Sequence, residues 1–175
     1  MRVWDPLIRL LHWSLVAAVG TAWFTGEASL RLHEAAGYAG LVLVTLRLIW
    51  GWIGGHFARF SQFVRAPSVV WRYAIDIAGH SERRYLGHNP LGGWMVLLLM
   101  LGVASVGATG WLYTLDMFWG LAWLEFLHRS LAWALVGLIA LHVAGVVFTS
   151  VRHRENLLAA MLTGRKKSVE ENDVG

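Results

Sequence analysis

The sequence predicts an all-α integral membrane protein, a bundle of four helices with both termini on the cytoplasmic side. The 175-residue chain is 57% hydrophobic, which exceeds the apolar content of an ordinary soluble domain. Four apolar stretches each reach the roughly 20 residues that a helix needs to cross a bilayer. The formal charge of +4 comes from residues between these stretches. Because no soluble face collects that charge, a nucleic-acid-binding surface is excluded.

The first of these stretches needs the most justification, because it resembles a secretory signal. Asp5, Arg9 and His12 interrupt its apolar run, and a cleavable signal tolerates such polarity poorly, so it is interpreted as a mature helix. The last stretch is longer than a bilayer requires and is expected to tilt or project. All four belong to one transmembrane domain, residues 1–164. The predicted spans are residues 7–25, 33–53, 91–113 and 121–150.

The distribution of basic residues predicts the orientation. They precede span one, fill the connection between spans two and three, and follow span four, whereas the opposite side holds only Arg31 and Arg129 beside three acids. Loops rich in Lys and Arg stay cytoplasmic. Both termini are therefore predicted to lie inside, in the bacterial inner membrane.

Two further segments complete the predicted organisation. PSVVWRYAIDIAGH, residues 67–80, places its apolar side chains near one helical face, which predicts a short interfacial helix between spans two and three. The tail, residues 165–175, is charged and lacks an apolar period, so it is predicted to be flexible. The chain has no cysteine, which excludes disulfides, thiolate metal sites and thioether heme attachment.

Four histidines in the spans are the candidate functional residues. His128 and His142 are fourteen residues apart in span four, so they share nearly one helical face at depths roughly 21 Å apart. His12 enters span one at the depth of His142, and His33 opens span two at the depth of His128. Paired imidazoles on facing helices are what a non-covalent b-type heme requires. The pattern therefore predicts two heme b groups, ligated by His12 with His142 and by His33 with His128.

Positions that follow His33 support this interpretation. Gly37 and Gly40 lie near its helical face, where missing side chains would let a macrocycle approach the backbone. Arg47 is fourteen residues beyond His33, on the same face at the inner level, and would pair with a heme propionate. The alternative for Arg47 is a side chain that snorkels to the cytoplasmic surface.

The histidines also admit other interpretations. Four histidines at two levels roughly 21 Å apart cannot share one zinc ion, whereas a proton relay stays open. His56, His80 and His153 lie outside the spans and are expected to be solvated. In GHNPLGG, Asn89 before proline is typical of a helix N-cap. The alternative is that His88 and Asn89 bind a quinone headgroup at the inner heme level.

Motifs from all four spans occur in an order that resembles the prokaryotic cytochrome b561 family. They are VWDPLIRLLHW, HEAAGYAGLVLVTLRLIWG, GHNPLGG and LHRSLAWALVGLIALHVAG followed by RHRENLLAAMLTGRKK. The family includes b-type cytochrome subunits of nickel-iron hydrogenases and is similar to the gamma subunit of membrane formate dehydrogenase. The resemblance implies a diheme four-helix protein in which spans one and two give one ligand each and span four gives two. It implies the same histidine pairs as the depth argument.

The predicted function is electron transfer across the inner membrane between a periplasmic redox partner and the quinone pool. The partner is expected to be a c-type cytochrome, a dehydrogenase subunit or a hydrogenase subunit, since the chain has no catalytic domain of its own. It is thus an electron-transfer subunit rather than a complete enzyme, in contact with membrane lipid, and a homo-oligomer stays open. One alternative is a superoxide:quinone oxidoreductase, although some superoxide-oxidising relatives carry a span-three histidine that this chain lacks. The other is a redox-silent membrane anchor.

Overall fold

The computed structural model describes residues 1–168 and 173–174, and in this part of the chain every regular element is a helix. The prediction of an all-α fold is therefore confirmed. The connection between the second and third long helices holds a 3-10 turn and two shorter helices, one of which is the predicted helix after residue 67. The helices are α1 (Pro6–Thr25), α2 (Leu30–Ile53), α3 (Phe60–Phe63), α4 (Pro67–Ala78), α5 (Pro90–Tyr113), α6 (Ala122–Arg152) and α7 (Leu157–Thr163), and the 3-10 turn is His56–Ala58.

Helices α1, α2, α5 and α6 are each long and apolar enough to cross a membrane. Large aliphatic side chains on them are open to the surroundings: Leu101 is 63% exposed and Leu141 is 61% exposed. Apolar surface spread along whole helices is unfavourable in water and suits contact with lipid tails. The chain is thus an integral membrane protein, and the helix bounds lie within three residues of the predicted spans.

Three helices begin at a side chain that caps the first turn. The Asp5 carboxylate accepts the Ile8 backbone N–H of α1 at 2.9 Å. The Asn89 side-chain oxygen accepts the Gly92 N–H of α5 at 2.7 Å. Asn156 does the same at the start of α7. These caps satisfy backbone donors that have no partner inside the helix, and they confirm the interpretation of Asn89 as the N-cap of span three.

The chain divides into two compact units. Unit one comprises residues 1–9, 49–97 and 140–175, and unit two comprises residues 10–48 and 98–139. In unit two, α2 packs closely on α5: a Cβ at Gly40 would lie 3.5 Å from Val103, and one at Gly107 would lie 2.6 Å from Leu41. Small residues at such contacts let transmembrane helices approach each other.

Unit one has its own apolar core and holds both chain ends. Val3, Trp4, Ile8, Ala58 and Ala160 form a buried cluster. The Gly164 carbonyl, just after α7, accepts the backbone N–H groups of Val3 at 2.9 Å and Trp4 at 3.2 Å. Helix α7 was not predicted, because seven residues are too few for an apolar period to stand out.

The described part of the C-terminal tail makes contacts with other segments of unit one, and its predicted flexibility stays a prediction. The Lys166 backbone N–H donates to the Met1 carbonyl at 2.9 Å, and Asp173 pairs with Arg84 at 2.6 Å. The Val174 carbonyl accepts from the Leu86 N–H at 2.9 Å. These contacts join sequence positions that no local pattern connects. Residues 169–172 and 175, for which flexibility was also predicted, lie outside the described residues.

Candidate functional site

His33 and His128 lie next to each other in unit two. Both rings are half-buried, and their centroids are 6.0 Å apart with the ring planes at 78°. A metal–imidazole nitrogen bond is about 2 Å long, and each ring centre lies roughly 1 Å beyond the ligating nitrogen. Two imidazoles on opposite sides of one metal would thus have centroids about 6 Å apart. The spacing fits a single iron between the two rings.

The His33 ring is held by α1. Its Nδ1 lies 2.8 Å from the carbonyl oxygen of Ala22, which is one of the last four carbonyls of α1. Carbonyls at this end of a helix lack intrahelical partners and carry the negative end of the helix dipole. Because a carbonyl can only accept, Nδ1 donates, and Nε2 of the neutral ring keeps its lone pair.

The His128 ring is held by α5. Its Nδ1 lies 3.1 Å from the hydroxyl oxygen of Thr109, which is buried. That hydroxyl also lies 2.9 Å from the Ser105 carbonyl and 3.0 Å from the Val106 carbonyl. The hydroxyl has one proton, which a carbonyl takes, so its oxygen accepts from Nδ1–H. His128 is therefore left with a free Nε2, as His33 is. Metal-ligating histidines are oriented by this kind of hydrogen bond.

Glycines leave room for both rings. A Cβ at Gly110 would lie 3.1 Å from Cε1 of His128, and a Cβ at Gly26 would lie 3.6 Å from Nδ1 of His33. Of the two glycines predicted to admit a macrocycle, Gly37 has nothing within 4 Å of an added Cβ, whereas Gly40 contacts Val103. Open space therefore lies beside Gly37, and Gly40 also serves helix packing.

The second predicted histidine pair is divided between the units. His12 belongs to unit two and His142 to unit one, and both are half-buried. Their pairing stays a prediction. Arg47 belongs to unit two and is 7% exposed. Burial of a charged residue within a span is costly unless the protein interior uses it, so this burial favours an interior role over snorkelling.

The residues proposed for quinone lie in unit one. The His88 ring packs between Trp4 and Phe63, with centroid distances of 4.7 Å to each. Burial, followed by the nearby Glu82 carboxylate, raises the pKa of Tyr73 to about 12, and a hydrogen bond from Asn89 opposes that rise. The Asn89 side chain thus contacts both Tyr73 and the first turn of α5, which favours its capping role.

The other three histidines lie outside the spans. His56 and His80 are exposed, as expected for solvated side chains, whereas His153 is half-buried. Burial is the main reason that the pKa of His153 lies below its usual range. Among residues 1–168 and 173–174, no group of three or more His, Cys, Asp or Glu side chains could hold a metal ion.

Helix α5 contributes to the orientation of His128, which was not predicted from the sequence. Thr109 and Gly110 are adjacent: the Thr109 hydroxyl lies 3.1 Å from Nδ1 of His128, and Gly110 leaves space for the ring that a Cβ would enter. The span has no histidine, so it was assigned no part in the site. The signal was a run of small residues, Gly107 to Gly110, that contains the hydroxyl of Thr109 within a largely apolar helix. Such hydroxyls in spans often bond across to a neighbouring helix.

A family model described as prokaryotic cytochrome b561 matches residues 3–164. A probable Ni/Fe-hydrogenase B-type cytochrome subunit from Rhizobium leguminosarum bv. viciae is 23% identical, over 98% of this chain and 90% of the relative. A protein of the same description from Azotobacter vinelandii is also 23% identical, over 93% and 86%. No solved structure matches the chain significantly.

Proposed function

The chain belongs to the prokaryotic cytochrome b561 family, and from this premise we propose that it is a diheme cytochrome that moves electrons between a periplasmic redox partner and quinone. Family membership already makes it a membrane b-type cytochrome of electron transfer, with heme b as its cofactor. The proposal adds the number of hemes, their ligands, the quinone and the partner. Bound heme b supplies one-electron chemistry whose potential the axial ligands and their surroundings tune.

The observation that carries the proposal is the His33 and His128 pair. The rings stand at the separation that one iron requires, and each Nδ1 is engaged by an oxygen of another helix. Anchored in this way, each imidazole presents Nε2 as a ligand and resists rotation. A pair of histidines that merely stabilised helix contacts would not need both rings in the same tautomer. The redox-silent anchor is thus the weaker interpretation.

The second heme is proposed between His12 and His142, which the sequence places at a common depth. Arg47 is proposed to hold a propionate, since its burial at the inner level of α2 suits a charge-assisted pair. Quinone is proposed to bind near this inner heme, with His88 and Asn89 as contacts. Tyr73 stays protonated at physiological pH, so its hydroxyl remains a donor at that level.

The names of the relatives support a hydrogenase as the redox partner, because both are described as Ni/Fe-hydrogenase cytochrome subunits. We place that partner on the periplasmic side, with both termini in the cytoplasm, from the distribution of basic residues. The alternative of superoxide oxidation needs a cationic path to the outer heme. Arg129, one of two basic residues there, lies 3.5 Å from Glu125 and 3.9 Å from Glu27. These acids weaken the attraction for an anion.

Heme content of the purified holoprotein tests the ligand assignment. We expect about two hemes per chain in the wild type and one in His33→Ala and His128→Ala, each with loss of one low-spin bis-imidazole EPR signal. His12→Ala should remove the other signal. The matched control is His56→Ala, an exposed histidine outside the spans, which should keep both. Full heme content in His33→Ala or His128→Ala would refute the outer pair.

Quinone and partner need separate assays. Quinol added to the oxidised holoprotein should reduce both hemes, and His88→Leu should slow that reduction while leaving heme content unchanged. Co-purification from native membranes should retain a hydrogenase. Hemes that quinol cannot reduce, but that superoxide reduces rapidly with quinone as acceptor, would replace the proposal by the alternative.

A further inference from the structure

A cationic cavity lies in unit one beside the C-terminal end of α6. It has a volume of about 580 Å³, and the described residues that line it include five Arg or Lys side chains and two carboxylates, whose formal charges sum to +3. Ligand sites commonly have volumes of this order. Its charged lining consists of Arg83, Arg84, Arg152, Arg154, Lys167, Glu82 and Asp173.

Both of the described carboxylates that line the cavity are already paired. Glu82 accepts from Nε and Nη2 of Arg152, and Asp173 pairs with Arg84. Arg84 is tied further by buried Glu155 at 2.9 Å. The other three cations have no ion pair with any of the described carboxylates. They are Arg83, Arg154 and Lys167, all of them exposed.

The backbone of Arg154 has a left-handed conformation, which other residue types adopt more readily than arginine does. Its φ is +48°, in the left-handed region that glycine and asparagine adopt readily and that costs other residues free energy. A helix end of this kind usually carries glycine. The side chain at this position lines the cationic cavity.

An apolar groove adjoins the cavity, and Arg154 lines both. The groove runs along the membrane-spanning end of α6, where Val147 and Val151 are one turn apart and exposed, and Leu158 of α7 closes it. Val147 and Val151 share one face of α6, and Arg154, just past the end of that helix, lines the groove beside them. A free phosphate would contact the cavity and leave the groove empty. An amphiphile with an anionic head would fill both.

We propose that this site binds one anionic phospholipid, with its phosphodiester among Arg83, Arg154 and Lys167 and one acyl chain along Val147 and Val151. The cavity lies where a span ends, which is the depth of lipid headgroups. Arginine and lysine donate charge-assisted hydrogen bonds to phosphate oxygens. A zwitterionic lipid brings its own ammonium group to the same cations and binds less well. The site is independent of the proposed hemes.

The test uses delipidated holoprotein in a non-ionic detergent, with native mass spectrometry and thermal unfolding as readouts. The probes are phosphatidylglycerol, phosphatidylcholine and inorganic phosphate. We expect one retained phosphatidylglycerol and a raised Tm with that lipid alone. Equal effects of both lipids, or the same effect from inorganic phosphate, would overturn the assignment of an anionic phospholipid.

Two variants locate the site. R83Q/R154N should lower the affinity for phosphatidylglycerol at least tenfold. Because asparagine tolerates a positive φ, the lipid-free Tm of R154N should equal or exceed that of the wild type. R72Q removes one charge from the exposed face of α4, outside the cavity, and should bind lipid normally. Unchanged lipid retention in R83Q/R154N, or equal loss in R72Q, would show that the cavity is not the site.

Discussion

Thr109→Val is the substitution that most directly tests how the outer heme ligand is held. Valine keeps the shape of threonine but removes the hydroxyl oxygen 3.1 Å from Nδ1 of His128. The Nδ1–H then loses the hydroxyl as an acceptor and keeps only the Val106 carbonyl, and the imidazole becomes a weaker base. A less basic ligand donates less electron density to the iron, which lowers the stability of the oxidised state more than that of the reduced state. We therefore expect the midpoint potential of the outer heme to rise.

The size of the rise follows from the hydrogen bond. A bond of this type contributes about 0.5–1.5 kcal/mol net, and tenfold in a one-electron equilibrium corresponds to about 59 mV. If most of that free energy differs between the two oxidation states, the shift is roughly 20–60 mV. Loss of an orienting hydrogen bond also weakens metal binding about 10–100-fold, so heme should dissociate faster from the variant.

Spectroelectrochemical titration of the purified protein measures the potential, and EPR reports the ligand orientation. Thr109→Ser keeps the hydroxyl and should behave as the wild type does. The matched control is Thr45→Val, because the Thr45 hydroxyl also bonds its own helix, at 2.9 Å from Leu41, but contacts no histidine. An unchanged potential and EPR signal in Thr109→Val, at full heme content, would refute the role assigned to this hydroxyl.

Three further predictions concern close packing and charge. Gly110→Ala should reduce heme retention, because its Cβ would lie 3.1 Å from the His128 ring. In the control Gly137→Ala the added Cβ meets nothing within 4 Å, so heme retention should not change. Heme absorbance after gel filtration measures how much heme each variant retains. Gly164→Ala should destabilise unit one by about 1–2 kcal/mol because of its φ of +78°, and an unchanged Tm would contradict this. Burial pushes the pKa of Glu155 up, but its cationic partners hold it below the usual 4.5. The ionised Glu155 therefore stabilises the fold above pH 4.5, and this stabilisation is lost as the pH falls through the lowered pKa. Acid unfolding should accordingly show a smaller pH dependence in Glu155→Gln than in the wild type.

The spans could be predicted because crossing a membrane imposes a length and a composition on each helix separately. The start of α2 shows the limit of that reasoning. It begins at Leu30, three residues before the predicted start, so His33 lies within the first turn rather than at its edge. Apolar content determines that a helix exists, whereas its first residue depends on local hydrogen bonds such as that from the His33 N–H to the Ser29 carbonyl.

The candidate site was predicted in its histidines but not in what orients them. Helical periodicity places His128 on a face and at a depth, because both follow from position along one helix. The contacts of Thr109 and Ala22 with the rings depend on how helices pack side by side, which no single span encodes. The same holds for the pairing of the N-terminal segment with Gly164, more than 150 residues away.

The two hydrogen-bond acceptors that hold the outer histidine rings differ in whether a substitution can remove them. The acceptor for His33 is the peptide oxygen of Ala22, which every amino acid would supply, so no codon change removes it. The acceptor for His128 is a side chain, and one nucleotide can delete it. Substitution of the acceptor residue can therefore change the hydrogen bond to His128 on α6, whereas the hydrogen bond to His33 on α2 persists whichever residue stands at position 22.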